Sequence, residues 1–454
     1  MTEDSPTQAP ARRALLSAGA LVTGASVAVN ALAYVVPVLA ARLVPVDELG
    51  ALGALLAIGA TFSVVGTGLQ TAVAVHGARG GHTTGAGRIS ACTALATAGL
   101  LVAATPVLAA TLDLPAVQAL LVAAMILPVV LAGRWLGELQ GGQRFRRFAA
   151  GVVLLGLARY GGVLAGLVIG SGVTGALALG AGGAWLAVAA LVVLAGRPTA
   201  APARDNPATG DPATGDPAAG DPAAGNPAAD SAPVPTGAIG WRAVLRASAA
   251  SVAMLAISSA DVVLAQAVLP KTESGAYVVG SVLTKGVLWA PGVLTVLALP
   301  AFARRRRYAV RLTAAGVIAS GVAFVTAAAV AGNLAVRLAG GARYTHLADV
   351  AAGFALVGGL YALTFVVVNA EIALGLRWPA ATLWGGLLAI ACATALLRPS
   401  TLDGLLAVSA ATAAITTIAT GFRYALARRR HEATARHRAS AATAAASTQP
   451  SATA

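Results

Sequence analysis

Apolar residues run along this chain in long blocks separated by short polar breaks. Six blocks fall at about 14–41, 50–75, 89–112, 117–136, 149–170 and 174–195. After a long interruption, six more fall at about 247–268, 276–300, 309–331, 348–370, 379–397 and 403–422. About 20 apolar residues, made helical, cross a hydrocarbon layer of roughly 30 Å. Within lipid a segment must satisfy its own backbone hydrogen bonds, which leaves helices and closed β-barrels. Barrel strands alternate apolar and polar side chains, and these blocks do not. The pattern predicts an all-α integral membrane protein with twelve transmembrane helices.

Composition agrees. Of 454 residues, 57% are hydrophobic and 11% charged, whereas a soluble domain is about a quarter charged to keep its surface wet. The net charge of +14 would suggest nucleic acid in a soluble chain, but the positions of the charges argue for membrane topology. With the N-terminus in the cytoplasm, 24 of the 31 Lys and Arg residues fall in cytoplasmic segments, five in outer segments and two inside spans. That is the positive-inside asymmetry of a multi-pass protein, and a miscounted span would scramble it. Heavy use of Ala, Gly and Arg beside only two lysines suggests a bacterial source. The expected location is the bacterial plasma membrane, with both termini cytoplasmic and no nucleic-acid partner. Arg12-Arg13 ahead of an apolar run imitates a signal peptide, but the run is too long for a cleaved h-region and reads as a first helix. Cys92 and Cys392 sit inside spans, as lipid-facing or packed thiols rather than a disulfide or zinc framework.

The interruption divides the chain. Asn206 to Asp230 is five pentapeptides, NPATG, DPATG, DPAAG, DPAAG and NPAAD. Proline at every fifth residue prevents helix and sheet and leaves an extended, solvated tether. The expected organisation is a cytoplasmic N-terminus at 1–13, a six-helix bundle at 14–195, a disordered linker at 196–240, a second six-helix bundle at 241–422 and a disordered basic cytoplasmic tail at 423–454.

The halves repeat. Between the first and second spans the chain reads Pro45-Val-Asp-Glu48-Leu-Gly50-Ala51, and between the seventh and eighth Pro270-Lys-Thr-Glu273-Ser-Gly275-Ala276. Both match P-x-x-E-x-G-A, 225 residues apart. Six spans is an even number, so the halves share one orientation. That is a parallel repeat about an axis along the membrane normal.

The same residues carry a resemblance. The helix leading through Ala41-Arg42-Leu43-Val44-Pro45-Val46-Asp47-Glu48-Leu49-Gly50 into a second span resembles the opening of bacterial polysaccharide flippases of the O-antigen type. Their superfamily also holds multidrug-extrusion transporters and lipid II flippases. Leu139-Gln-Gly-Gly-Gln-Arg144-Phe-Arg146-Arg147-Phe148 resembles that family's basic link between spans four and five, and Asp261-Val-Val-Leu264 its acidic position in span seven. The resemblance implies two bundles around a central cavity that move lipid-linked oligosaccharide from the inner to the outer leaflet by alternating access. Lipid II flippases usually carry two further C-terminal helices, and the polar tail after twelve spans here favours an oligosaccharide-repeat flippase.

Charges within a membrane cost roughly 2.5–3.5 kcal/mol each on insertion scales, so they mark cavities or partners. Arg159 has Gly156, Gly162 and Gly166 on its helical face, which suits close packing or a cavity border. Lys285 lies mid-span between Ser281 and Trp289, and Asp261 has Ser258 one turn away. One reading puts Arg159 and Lys285 in a water-filled cavity that grips a diphosphate, by a guanidinium fork and a mobile ammonium. Asp261 then binds a coupling proton or sodium ion, or pairs with a cation. The other reading is a structural pair, Asp261 with Lys285 or Arg159. Asn30, Tyr160, Tyr361 and Asn369 could meet sugar hydroxyls or bond between helices, and Pro37 and Pro291 could be hinges or static kinks. Trp135, Trp241 and Trp378 read as interfacial anchors. Arg304 to Arg307 reads as a topology signal and an anionic-lipid contact.

There is no G-x-x-x-x-G-K-[ST] loop and no H-E-x-x-H, so ATP drive and zinc hydrolysis lack their machinery. No enzyme and no cofactor are expected. The expected partners are lipid-linked oligosaccharide, membrane lipids and a polysaccharide polymerase or glycosyltransferases. A multidrug or small-metabolite exporter of the same fold is the alternative; an organic-cation exporter would carry cavity acids in excess, whereas interior bases here outnumber acids two to one.

Overall fold

A computed structural model describes residues 8–78, 85–196, 241–289, 307–374, 376 and 378–447. The pentapeptide linker, Pro291 and Arg304 to Arg306 lie outside the described residues. The first half holds α1 (Gln8–Leu43), α2 (Val46–Ala78), α3 (Ala86–Leu112), α4 (Ala116–Gly141), α5 (Phe145–Val168) and α6 (Gly172–Ala195). The second holds α7 (Trp241–Val268), α8 (Lys271–Trp289), α9 (Arg307–Val330), the short α10 (Gly332–Gly340), a 3-10 segment (Ala342–Val350), α11 (Ala351–Ala373), α12 (Ala381–Leu397) and α13 (Leu402–Ser447).

Ten of these helices are long and apolar enough to cross a membrane. Of the two remaining expected spans, α12 is apolar but only 17 residues long, and α8 carries Lys271, Glu273 and Lys285 in 19 residues. The molecule is apolar on its outside: Leu186 is 72% exposed, Leu396 83% and Val330 85%. Such a surface belongs against lipid rather than water. Both cysteines are free and exposed.

Two segments differ from the sequence expectation. The connection expected at 332–347 is almost wholly helical, as α10 and the 3-10 segment; nine-residue elements are too short to stand out from neighbouring spans. The tail, expected to be disordered after Phe422, continues α13 to Ser447. It is rich in alanine, the strongest helix former, and it grows from a helix already nucleated, so the costly first turn is avoided.

Small residues set the packing. On α4, Gly133, Gly137 and Gly141 stand four apart and meet the backbone of α2 at Gly66, Gln70 and Ala74, where any Cβ would collide. With no hydrophobic force between helices in lipid, this close approach is what holds them. One continuous apolar core runs through both halves, from Val36, Leu49 and Leu52 to Val262, Tyr277 and Val278.

The two P-x-x-E-x-G-A motifs meet each other. A Cβ on Gly50 would strike Ser274 and Gln266, and a Cβ on Gly275 would strike the carbonyl of Val46. The Gln266 amide donates to the Leu112 carbonyl (2.8 Å), and Ser274 Oγ donates to Gln266 Oε1 (2.9 Å). Lys271 pairs with Asp113 at 2.7 Å. Arg343 donates to the Arg42 carbonyl (2.7 Å), and Arg42 donates to the Leu338 carbonyl (3.1 Å). The two halves are thus interlocked at the end carrying Pro45 and Pro270.

Candidate functional site

Between the halves lies a cavity of about 450 Å³ walled by α1, α2, α4, α5, α7 and α8. Along α2 it reaches from Gly53 to Gln70, about 26 Å at 1.5 Å per residue. From α7 it takes Leu255, Ser258, Ser259 and Val262, and from α8 Val278, Ser281, Val282 and Lys285. Each of these eight stands 225 positions after another lining residue, respectively Asn30, Ala33, Tyr34 and Pro37 of α1 and Gly53, Leu56, Ala57 and Ala60 of α2. The spacing of the repeated motif recurs in the wall of the cavity.

Arg159 and Lys285 both line it, and no carboxylate does among the described residues. Arg159 projects from the stripe Val152, Leu155, Gly156, Arg159 and Tyr160 on α5, the i, i+3, i+4, i+7, i+8 face of one helix. It is 5% exposed. One terminal nitrogen donates to Ser63 Oγ at 2.8 Å, and Ser63 in turn donates to the Gly59 carbonyl at 2.6 Å. The guanidinium lies 5.0 Å from the centre of the Tyr160 ring, a cation–π distance. Its Nε has no hydrogen-bond partner, so this buried cation keeps a donor unspent. Of its neighbouring glycines, Gly156 lines the cavity and backs Val29, while Gly162 and Gly166 pack against α6 at Leu179 and Ala176.

Lys285 is half-buried, and its ammonium has no ion pair within 4.0 Å among the described residues. The Tyr34 hydroxyl donates to its carbonyl (3.1 Å), tying α1 to α8 beside the cavity. Asn30 and Tyr160 line the cavity as well.

The remaining candidates lie elsewhere. Asp261 is 3% exposed and faces away from the cavity lining. Its carboxylate accepts from the Val262 amide (2.9 Å) and the Tyr277 hydroxyl (3.2 Å), and Tyr277 shares a hydrogen bond with Ser409 (3.1 Å). It makes a salt bridge with neither Arg159 nor Lys285. Its hydrogen bonds join it to a knot of α7, α8 and α13. Tyr361 is buried with its hydroxyl unpartnered. The Asn369 amide donates to the Phe365 carbonyl of its own helix (2.8 Å).

Sequence reasoning passed over Tyr34, Ser63 and Glu371. Glu371 is fully buried and lies 3.4 Å from Arg423 of α13, whose guanidinium also donates to the Trp378 carbonyl. A glutamate in the last turn of an apolar helix is a weak signal, masked here by the nearby Arg377 and Trp378. Tyr34 and Ser63 gave none, since single hydroxyls are common in membrane helices.

No family model matches the chain, and no curated protein matches its sequence. Solved structures do match in shape. Lipid II flippase MurJ in an inward closed conformation is 12% identical at TM-score 0.62, over 89% of this chain and 87% of that one. An inward-facing multidrug resistance MATE-family transporter of the MOP superfamily is 12% identical at TM-score 0.54, over 88% and 95%. An outward-facing structure of such a transporter is 13% identical at TM-score 0.52, over 90% and 94%. The chain has the fold of these transporters. Nearly the whole chain takes part in each match. Among the described residues no three His, Cys, Asp or Glu side chains gather where they could hold a metal ion.

Proposed function

We propose that this chain is an alternating-access membrane transporter that moves lipid-linked oligosaccharide, a polyprenyl-diphosphate sugar, from the cytoplasmic to the outer leaflet. Counting α8 and α12 as spans gives twelve helices in two six-helix bundles, with the Pro45 end outward and both termini cytoplasmic, in a bacterial plasma membrane. The observation that carries the reading is one cavity lined by Arg159 and Lys285, from opposite halves, with no acid in its lining among the described residues. A buried cation with an unspent donor attracts an anion, and a guanidinium beside a mobile ammonium suits a diphosphate. Asn30, Tyr34, Tyr160 and Ser258 offer hydroxyl and amide partners for the first sugar. The hydrocarbon tail stays in lipid, and only the head group enters.

The second reading is export of a small anionic metabolite or drug. It is favoured by size, since about 450 Å³ falls within the usual range of small-ligand pockets. The test is reconstitution in liposomes with fluorescent undecaprenyl-diphosphate sugar, scored by its arrival in the opposite leaflet. Transfer by the wild-type protein, lost in Arg159→Ala and Lys285→Ala variants of normal expression and folding, supports the flippase. No transfer across several lipid-linked sugars, with efflux of a small anion instead, supports the exporter.

A further inference from the structure

On the outer side of the α1–α5 seam, facing away from the cavity, lies an open groove of about 840 Å³. Leu21, Gly24 and Ala28 of α1 form one wall, and Ala150 and Leu157 of α5 the other, with Arg146 lining it at the start of α5. Gly24 has nothing within 4 Å of where a side chain would begin, so the groove is open space rather than loose packing. It shares no lining residue with the transport cavity.

Three arginines stand at the α4–α5 connection, and they are used differently. Arg144 donates to the Ala195 carbonyl at the end of α6 (2.9 Å), and Arg147 lies against Gly196. Arg146 is exposed and has no polar partner among the described residues, and it alone of the three lines the groove. The first turn of α5 has no side-chain cap, so its free backbone N–H groups add to the attraction for an anion there. From Arg146 to Leu157 is about 16 Å at 1.5 Å per residue. That is roughly half of the 30 Å hydrocarbon layer, the depth of one leaflet.

A cation and an uncapped helix end at the head of an apolar trough one leaflet deep match one occupant. We infer that this groove binds an anionic membrane phospholipid, with its phosphate at Arg146 and the α5 N-terminus and an acyl chain lying along Leu157 and Gly24. This site is independent of the transport reading.

The test is native mass spectrometry of the purified, delipidated full chain, titrated with dioleoylphosphatidylglycerol or dioleoylphosphatidylcholine. The wild-type protein should hold the anionic lipid about tenfold more tightly, the scale of one charge-assisted hydrogen bond. Arg146→Ala should abolish that preference. Gly24→Leu, which fills the trough, should weaken both lipids, and Ala150→Leu on the opposite wall should do the same; thermal melting checks that each variant is folded. Equal binding of the two lipids, a preference that survives Arg146→Ala, or retention untouched by both filling variants would each overturn the assignment.

Discussion

Ala60 and Lys285 occupy equivalent places in the two halves, 225 residues apart, and both line the cavity. One contributes a methyl group and the other an ammonium. The second cation, Arg159, comes from α5, and among the described residues the second half adds nothing to the lining beyond α7 and α8. Of the two buried acids of the second half, Glu371 pairs with Arg423, and Asp261 is turned into a knot with Tyr277, which in turn holds Ser409. Scaffold geometry is thus shared between the halves while charge is not. The first half keeps a buried donor unspent, and the second ties Asp261 down and presents a lone lysine to the cavity.

The harshest break of this asymmetry is removal of its cations. Arg159→Ala and Lys285→Ala should each cut transport of a diphosphate-bearing lipid by about thirtyfold or more, since truncating one partner of a buried charge contact costs about 2–5 kcal/mol. Leaflet-transfer rates in liposomes measure this. Moving the charge to the equivalent place sharpens it: Ala60→Lys in the Lys285→Ala background should return transport to within about tenfold of wild type. If the double variant stays as inactive as Lys285→Ala, equivalence of backbone position does not carry equivalence of chemistry.

Next in size is the interlock. Gly275→Val forces a side chain onto the Val46 carbonyl and should cost about 1–3 kcal/mol, the usual range for overpacking. By opening the Pro45 end it should also raise thiol labelling of a cysteine placed at Leu56, which lines the cavity, in a background lacking Cys92 and Cys392. Asp261→Asn keeps an acceptor for Tyr277 and should lower stability by about 1 kcal/mol, read from the melting temperature. A change in the proton or sodium dependence of transport in that variant would instead show that the charge itself is used.

The smallest effect belongs to Asp113 and Lys271 at the exposed end. The Lys271 ammonium, by hydrogen bond and charge, holds the Asp113 carboxyl below its ordinary value, and the carboxylate raises the lysine. A lowered carboxyl contributes above its unfolded value and loses that contribution as pH falls through the folded one; a raised lysine contributes below its unfolded value and loses it as pH rises through the folded one. The pair therefore acts across the whole neutral range. It is exposed, so Asp113→Asn should leave melting unchanged within error from about pH 5 to 9.

Much of the fold was legible because lipid imposes one strong rule, a long apolar block per crossing. The two cavity cations were legible for the same reason, since a charge in such a block needs an explanation. The partner of Asp261 was not: Tyr277 lies 16 residues on, past a turn, and no local spacing places its hydroxyl. Ser63 meets Arg159 across 96 residues, and nothing in its own helix marks it out. Glu371 was hidden by its setting, since an acid so near Arg377 and Trp378 reads as part of the membrane surface.

The meeting of the two motifs, Gly50 against Ser274 and Gly275 against Val46, has a consequence for copy number. Each motif is both the knob and the hole for the other, and Gly53 packs against Val278, its own counterpart 225 residues away. Such a contact is isologous, the kind through which two identical six-helix subunits form a twofold dimer. Written as a dimer, the wall of the cavity would carry two lysines, at 60 and 285 together, or none. Joined in one chain it carries a single one, an arrangement closed to any assembly of identical subunits.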